Sequence, residues 1–255
     1  MRRLILRPGW AVLLTAALAA AAQADINGFG NFSNFRVNQA DGGSAPGIFN
    51  NRIRLTSTST TQSRSIFCLD RQDITSFTAS FTYELDNAGN GNGLWGGCFV
   101  LQNDPDGPSA LGSFNAYGYT RIAPSIGASL EISNPYRHGL YTDGDTDGGA
   151  DDMSPVNLRL SNPINVTLTY DGSLLTTRIR DTVTNDSFEA TRLIDIPAAV
   201  GGPLAYVGFT ASTSLGTNFT GDQYFSDPQF HTVPEPSSAL ALTSLILLGL
   251  IRQLR

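Results

Sequence analysis

Phe77-Thr78-Ala79-Ser80-Phe81-Thr82-Tyr83-Glu84-Leu85-Asp86 decides the fold class. Phe77, Ala79, Phe81, Tyr83 and Leu85 alternate with Thr78, Ser80, Thr82 and Glu84. A period of two belongs to an extended strand, whose successive side chains point to opposite faces, so this stretch reads as a strand with one buried face. Ile164, Val166, Leu168 and Tyr170 alternate in the same way with Asn165, Thr167 and Thr169. Asp171-Gly172 is then a two-residue hairpin signal, and Leu174 to Thr182 reads as the returning strand.

Further strands lie outward along the chain. Asn185-Asp186 turns into Phe188 to Ile194, Ala205 to Phe209 is apolar throughout like a strand covered on both sides, and Gln229-Phe230-His231 closes a last strand. Helical periodicity is nearly absent. Asn87 to Gly97 is a Gly- and Asn-rich loop, Asp104 to Pro124 is loop-like, and Thr56 to Thr61 is a polar run that reads as a solvated turn. Short strands, frequent Gly, Asn and Asp turns and no long helix define an all-β protein, an antiparallel β-sandwich.

The two ends carry a different chemistry. Arg2, Arg3 and Arg7 precede an apolar run from Trp10 to Ala22, and Ala22-Gln23-Ala24 is a small-x-small cleavage site. Residues 1–24 therefore read as a signal peptide, and the mature chain is expected to begin at Asp25. At the other end, Val233-Pro234-Glu235-Pro236-Ser237 precedes an apolar run from Ala239 to Ile251 and then Arg252 and Arg255. That order of turn, short apolar helix and basic stop resembles the PEP-CTERM sorting tail of Gram-negative bacteria. The resemblance implies recognition by an exosortase-type enzyme and a membrane partner through a short C-terminal helix. The apolar run is shorter than the roughly 20 residues of a full span. Removing both ends leaves residues 25–232 as one domain and 233–255 as the anchor segment.

Composition excludes several activities. The formal net charge is −6 and every basic residue is Arg. No basic footprint for nucleic acid is present, and without Lys there is neither a Schiff-base amine nor a P-loop lysine. Cys68 and Cys98 each lie in an apolar strand-like run. In an oxidising compartment they are expected either as a bridge between neighbouring strands or as two buried free thiols.

Gly96-Gly97-Cys98-Phe99-Val100-Leu101-Gln102-Asn103-Asp104-Pro105, followed by Ala110-Leu111-Gly112, Tyr117-Gly118-Tyr119 and Ile122-Ala123-Pro124-Ser125, resembles the legume (L-type) lectin domain as it occurs in bacteria. Gly139-Leu140-Tyr141-Thr142-Asp143-Gly144, the Val166 to Gly172 hairpin, and Gly201-Gly202 with Ala205 to Thr213 are similar to later family segments in the same order. The resemblance runs from Phe29 to Phe230. It implies a concanavalin A-like jelly roll that binds a glycan or exopolysaccharide without catalysis.

The same resemblance points to site residues. In the family, an Asp just before the Gly-x-x-Phe strand accepts hydrogen bonds from sugar hydroxyls; here that place holds Trp95. Trp95 is read either as a ring on which a sugar stacks, with Gly96 and Asn103 beside it, or as a residue packing the loop on the sandwich. Glu131 matches the first carboxylate of the family's metal strand, whereas Ser133 stands where its Asp belongs and His138 is off the family's spacing. The paired Ca²⁺ and Mn²⁺ site is thus incomplete. Asp143-Gly144-Asp145-Thr146-Asp147-Gly148, with Asp151 after it, is the first half of a D-x-D-x-D-G loop, though Ser154 replaces the closing Glu. It is read as a Ca²⁺ loop on Asp143, Asp145 and Asp147 or as a solvated acidic turn.

Two further functional classes remain open on these residues. Glycoside hydrolysis needs two carboxylates across one cleft. Glu84-Leu85-Asp86 supplies half of an E-x-D-x-x-E strand, but Gly89 occupies the last position. A structural or adhesive matrix protein needs only a stable exported sandwich, and Trp95 and Ser133 both favour that reading.

Overall fold

The computed structural model describes residues 25–30, 32–40, 46–91, 95–114, 116–132, 135–215 and 217–233. The expected signal peptide (residues 1–24), Ser133 and the expected sorting tail beyond Val233 lie outside the described residues. No helix among the described residues is long and apolar enough to cross a membrane.

Sixteen strands follow one another along the chain: β1 (Ile26–Asn27), β2 (Phe35–Gln39), β3 (Gly47–Phe49), β4 (Arg52–Thr56), β5 (Ser63–Cys68), β6 (Gln72–Asp73), β7 (Phe77–Asp86), β8 (Gly96–Gln102), β9 (Ser125–Glu131), β10 (Arg137–Thr142), β11 (Ala150–Asp152), β12 (Ile164–Tyr170), β13 (Leu174–Asp181), β14 (Ser187–Leu193), β15 (Leu204–Ser212) and β16 (Asp222–Thr232). They form two sheets, each antiparallel throughout. The first runs β14-β13-β12-β7-β16-β4-β3 with β1 beside β16; the second runs β11-β10-β9-β8-β15-β5-β2 with β6 beside β15. The expected all-β antiparallel sandwich is therefore present.

The alternation in β7 does what its period requires: all five apolar residues point inward, and the polar ones reach solvent. β8 and β9 are buried at every position. Their inner face meets the first sheet, and their outer face is covered by the segment 107–124. Between the sheets Phe81, Phe99, Phe209 and Phe225 form an aromatic cluster, with Phe81 and Phe209 edge-to-face at 4.9 Å and Phe209 and Phe225 at 4.7 Å. Each such ring stabilises the sandwich by about 1.5–3 kcal/mol through removal from water. Polar ties cross the same interface. Buried Arg64 donates to the Leu55 carbonyl at 3.0 Å, and the Gln223 amide donates to the Ser212 carbonyl at 2.9 Å while its oxygen accepts from Tyr83.

Segment 104–124, expected as a loop, is a third layer. Two 3₁₀ turns, Gly107–Ser109 and Ala116–Gly118, fold it onto the second sheet. Tyr117, Tyr119 and Ile122 pack there against Phe67, Cys98, Val100 and Tyr141 in a second apolar cluster. Gly118 permits the approach: at φ 69° a Cβ on it would lie 2.7 Å from the Ala211 carbonyl oxygen. Reading alternation alone missed this flap because its apolar residues follow no single period.

One short helix, α1 (Ile196–Val200), also went unread. Asp195 caps it by accepting from the Ala198 N–H, Pro197 sits in its first turn, and Gly201 ends it at φ 82°. The signal was present as D-I-P-A-A-V-G, but five residues are too few for a helical period to register.

Candidate functional site

The sandwich has two rims, and the expected site residues divide between them. At one rim β8 begins, β9 ends and β15 ends, because Gly96 is paired with both Glu131 and Ser212. Trp95, Gly96 and Glu131 belong there. At the other rim Gln102 is paired with Ser125, and Asn103 and the 143–147 segment follow. Seven residues of β9 separate the rims, about 20 Å of extended chain.

Trp95 is fully buried in the core between the sheets, and its indole N–H donates to the Gly91 carbonyl at 3.3 Å. The sugar-stacking role is therefore corrected: no ring face is open to solvent, and the residue packs the loop onto the sandwich. Gly96, at φ 140°, would place a Cβ 2.1 Å from the Leu130 carbonyl oxygen, so its part is close backbone approach. Asn103 is spent structurally, its amide donating to the Val200 and Leu204 carbonyls at 3.1 and 2.8 Å. It holds α1 against the start of β15, on the rim away from Trp95.

The metal set is also corrected. Glu131 is 2% exposed and accepts from the Tyr141 hydroxyl at 2.6 Å and from Ser129 at 3.1 Å. Asp143 and Gly144, both at positive φ, are the central pair of a hairpin turn closed by Asp145 N–H on the Thr142 carbonyl at 2.9 Å. Asp143 accepts from Ser125 N–H at 3.2 Å, Asp145 accepts from Asp147 N–H at 2.9 Å, and Asp151 pairs with Arg192. Glu131 and the Asp143–Asp147 run thus lie a strand length apart. Among the described residues, no three His, Cys, Asp or Glu side chains converge. A hard cation needs several oxygen ligands at once, and the donor set found here does not fit Ca²⁺.

The bridge between Cys68 and Cys98 is corrected as well; both are free and buried. β15 separates their strands, and they face opposite sides of the second sheet, Cys68 toward the inner core and Cys98 toward the flap. Burial pushes the Cys68 thiol up to about 12, and burial together with the Glu131 carboxylate raises that of Cys98.

Around Glu131 the flap builds a closed polar nest. The Tyr117 and Tyr141 rings stack at 6.2 Å, and burial and the neighbouring carboxylate raise both phenols. This nest is filled by its own side chains. The open volume lies beside it, between the flap and the β4–β5 loop. That loop is fixed by the Thr61 N–H on the Ser214 carbonyl and by Thr213, whose hydroxyl donates to the Ser59 carbonyl at 2.8 Å. The flap is fixed by Ser63 and Ser65, whose hydroxyls donate to the Gly112 and Ala110 carbonyls.

Between these two pinned walls is a cleft of about 580 Å³, lined by Ser59, Thr60, Thr61, Ser113, Phe114 and Arg121 among others. Among the described residues, the hydroxyls of these four Ser and Thr residues have no hydrogen-bond partner, and no carboxylate lines the cleft. A comparable depression of about 640 Å³ on the outer face of the first sheet differs in kind, because its Arg178 and Glu189 are paired at 2.6 Å. Sequence reasoning missed the cleft. The polar run at Thr56–Thr61 was its only signal, and nothing local says which loop that run will face.

No family model matches the chain, and no curated protein matches its sequence. The fold does have solved counterparts. The chain is similar to lectin I-B4 from Griffonia simplicifolia in its metal-free form, with a TM-score of 0.68, 15% identity, and 83% of this chain and 100% of that one covered. It is similar to arcelin-5, a lectin-like defense protein from Phaseolus vulgaris, with a TM-score of 0.67, 15% identity and coverage of 82% and 98%. A lectin from Bauhinia forficata in complex with GalNAc matches with a TM-score of 0.67, 14% identity and the same coverage. At this identity the likeness establishes the architecture: the sandwich is of the legume-lectin, concanavalin A-like form.

Proposed function

We propose that the protein is an exported, surface- or matrix-associated carbohydrate-binding protein that acts without catalysis. The carrying observation is the cleft between the flap and the β4–β5 loop, where unengaged hydroxyls and an aromatic ring face solvent between immobilised walls. Hydroxyls that both donate and accept suit a polyol, and an aromatic ring suits the C–H face of a pyranose. The legume-lectin form of the sandwich supports the same reading, as do neighbours solved with GalNAc and with galactose.

The placement of carboxylates supports the absence of catalysis. Glu84 lies on the outer face of the first sheet, paired with Arg52 at 2.6 Å, and Glu189 is on that face paired with Arg178. Glu131 lies on the outer face of the second sheet. Glu84 and Glu131 therefore cannot work across one cleft as an acid and a nucleophile. Binding at the cleft is proposed to be independent of Ca²⁺.

The ends complete the proposal: residues 1–24 direct export with cleavage before Asp25, and the tail after Val233 is held at the envelope membrane and handled by an exosortase-type enzyme. A second reading, a structural matrix protein without a working sugar site, is favoured by the burial of Trp95 where the family resemblance places a sugar-contacting Asp.

The deciding experiment places the full chain on a glycan array with and without EDTA, with a parallel assay for released reducing ends. Reproducible binding that survives EDTA, with no release, is expected. An array that stays silent while the protein is retained in biofilm matrix selects the second reading. Release that disappears in Glu84→Gln overturns the non-catalytic one.

A further inference from the structure

We propose that the cleft selects acidic saccharides, and that Arg121 reads the anionic group. The inference rests on the carbohydrate-binding reading and adds the class of ligand.

Charge makes the case. The chain carries 22 acidic and 16 basic residues, so a polyanion meets net repulsion over most of its surface. Several arginines are neutralised: Arg52 by Glu84 and Asp86, Arg54 by Asp222, Arg178 by Glu189 and Arg192 by Asp151. Arg121 differs. It is exposed at the cleft wall, forms no ion pair among the described residues, and has no carboxylate beside it in the lining. Among the described residues, the cleft lining thus carries one cation and no carboxylate, on a protein of net negative charge.

The arginine is also held in place. Its φ of 78° is a left-handed conformation that a long side chain adopts only when its surroundings impose it. The Asp143–Gly144 turn packs closely against this backbone: a Cβ on Gly144 would lie 2.4 Å from the Arg121 backbone nitrogen. Tyr119, hydrogen-bonded to Ser125 at 2.7 Å, anchors the chain two residues earlier. The backbone is therefore fixed while the guanidinium is free. A planar guanidinium forms two parallel hydrogen bonds with a carboxylate and can serve a sulfate ester in a similar way. Ser113 and Thr60 would take ring hydroxyls, and Phe114 would lie against the sugar's apolar face. A saccharide bearing a carboxylate or sulfate ester satisfies all three parts.

Isothermal titration of the full chain tests this with four probes: oligogalacturonate, its methyl ester, dextran sulfate and polyglutamate. The expected result is binding to oligogalacturonate at least about tenfold tighter than to the ester, as a charge-assisted pair supplies. Arg121→Gln should erase that preference, bringing the affinities for acid and ester to within about twofold of each other, and Arg121→Lys should restore only part of it. Dextran sulfate binding that also falls in Arg121→Gln extends the anion class to sulfate esters. Equal affinity for every acidic and neutral saccharide, a preference that survives Arg121→Gln, or polyglutamate binding as tight as the acidic saccharides overturns the inference. Silence toward every saccharide overturns the carbohydrate-binding reading as well, whereas binding to the ester alone leaves that reading standing and removes only this one.

Discussion

Trp95 fills the end of the inter-sheet core with no exposed surface, so Trp95→Ala should act on stability rather than on recognition. A loss of about 3–5 kcal/mol is expected from the cavity and the lost transfer energy, measured as a shift in the urea midpoint. A variant that kept its midpoint but lost glycan binding would contradict this placement. The thiols allow a second check at the same scale. Two free, buried and hard-to-ionise cysteines should resist alkylation in the native protein, and each should add one label after unfolding. A native mass 2 Da below the reduced mass (one bond between two sulfurs) would contradict their location on opposite faces. Cys68 and Cys98 look alike as sequence, each in an apolar run. Only the parity of each residue along its strand, counted through β15, separates the faces they occupy.

At the scale of elements, the β9–β10 hairpin carries a pH dependence. His138 on β10 is 4% exposed and hydrogen-bonded at 2.8 Å to the Ser129 carbonyl. That carbonyl can only accept, so the neutral ring carries its proton on Nδ1. Phe188 of the facing sheet meets the ring edge-to-face at 6.1 Å. Burial lowers its pKa, with Asp151 and Arg192 acting in opposite senses beside it. The unfolded chain gains a proton as pH falls through about 6.5, and the folded ring refuses it until lower pH. The stability is thus fully present above about 6.5 and declines below it, by up to about 1.4 kcal/mol per pH unit. Denaturant midpoints at pH 7.5 and 5.5 should differ in the wild type and converge in His138→Gln; parallel behaviour of the two proteins would refute the assignment. The same hairpin ends in the Asp143–Gly144 turn. The acidic run was legible, but its two readings were a cation loop or a solvated turn. Hydrogen bonds from Asp145 N–H and Ser125 N–H decide for the turn, because they use the groups locally.

For the molecule as a whole, the described residues bury their own core, with the aromatic cluster at its centre. Phe209 touches Phe29, Phe81, Phe99 and Phe225, so Phe209→Ala is expected to cost about 3–5 kcal/mol and to loosen both sheets together. A single cooperative transition should persist at a lower midpoint, with fluorescence and circular dichroism coinciding. Two separated transitions would mean that the sheets do not share one core. The lack of a cation site among the described residues has its own whole-molecule signature: addition of Ca²⁺ or EDTA should leave the melting temperature unchanged, because a ligand that binds only the native state must raise it. A rise with Ca²⁺ would restore a metal site.

The alternation of Phe77 to Asp86 and of Ile164 to Tyr170, the Asp-Gly and Asn-Asp turns, and the scarcity of helical periods by themselves determine a two-faced antiparallel sandwich. Each is a local property, because a strand's side-chain period and a turn's backbone signs are set within a few residues. Tertiary structure alone decided which loops meet. Pairing across β8, β9 and β15 sends Glu131 and the Asp143–Asp147 run to opposite rims, brings Ser59–Thr61 opposite Ser113–Arg121, and turns the two cysteines apart. Strand pairing joins residues far apart in the chain, and the hydrogen bonds that select the partner are identical for every sequence.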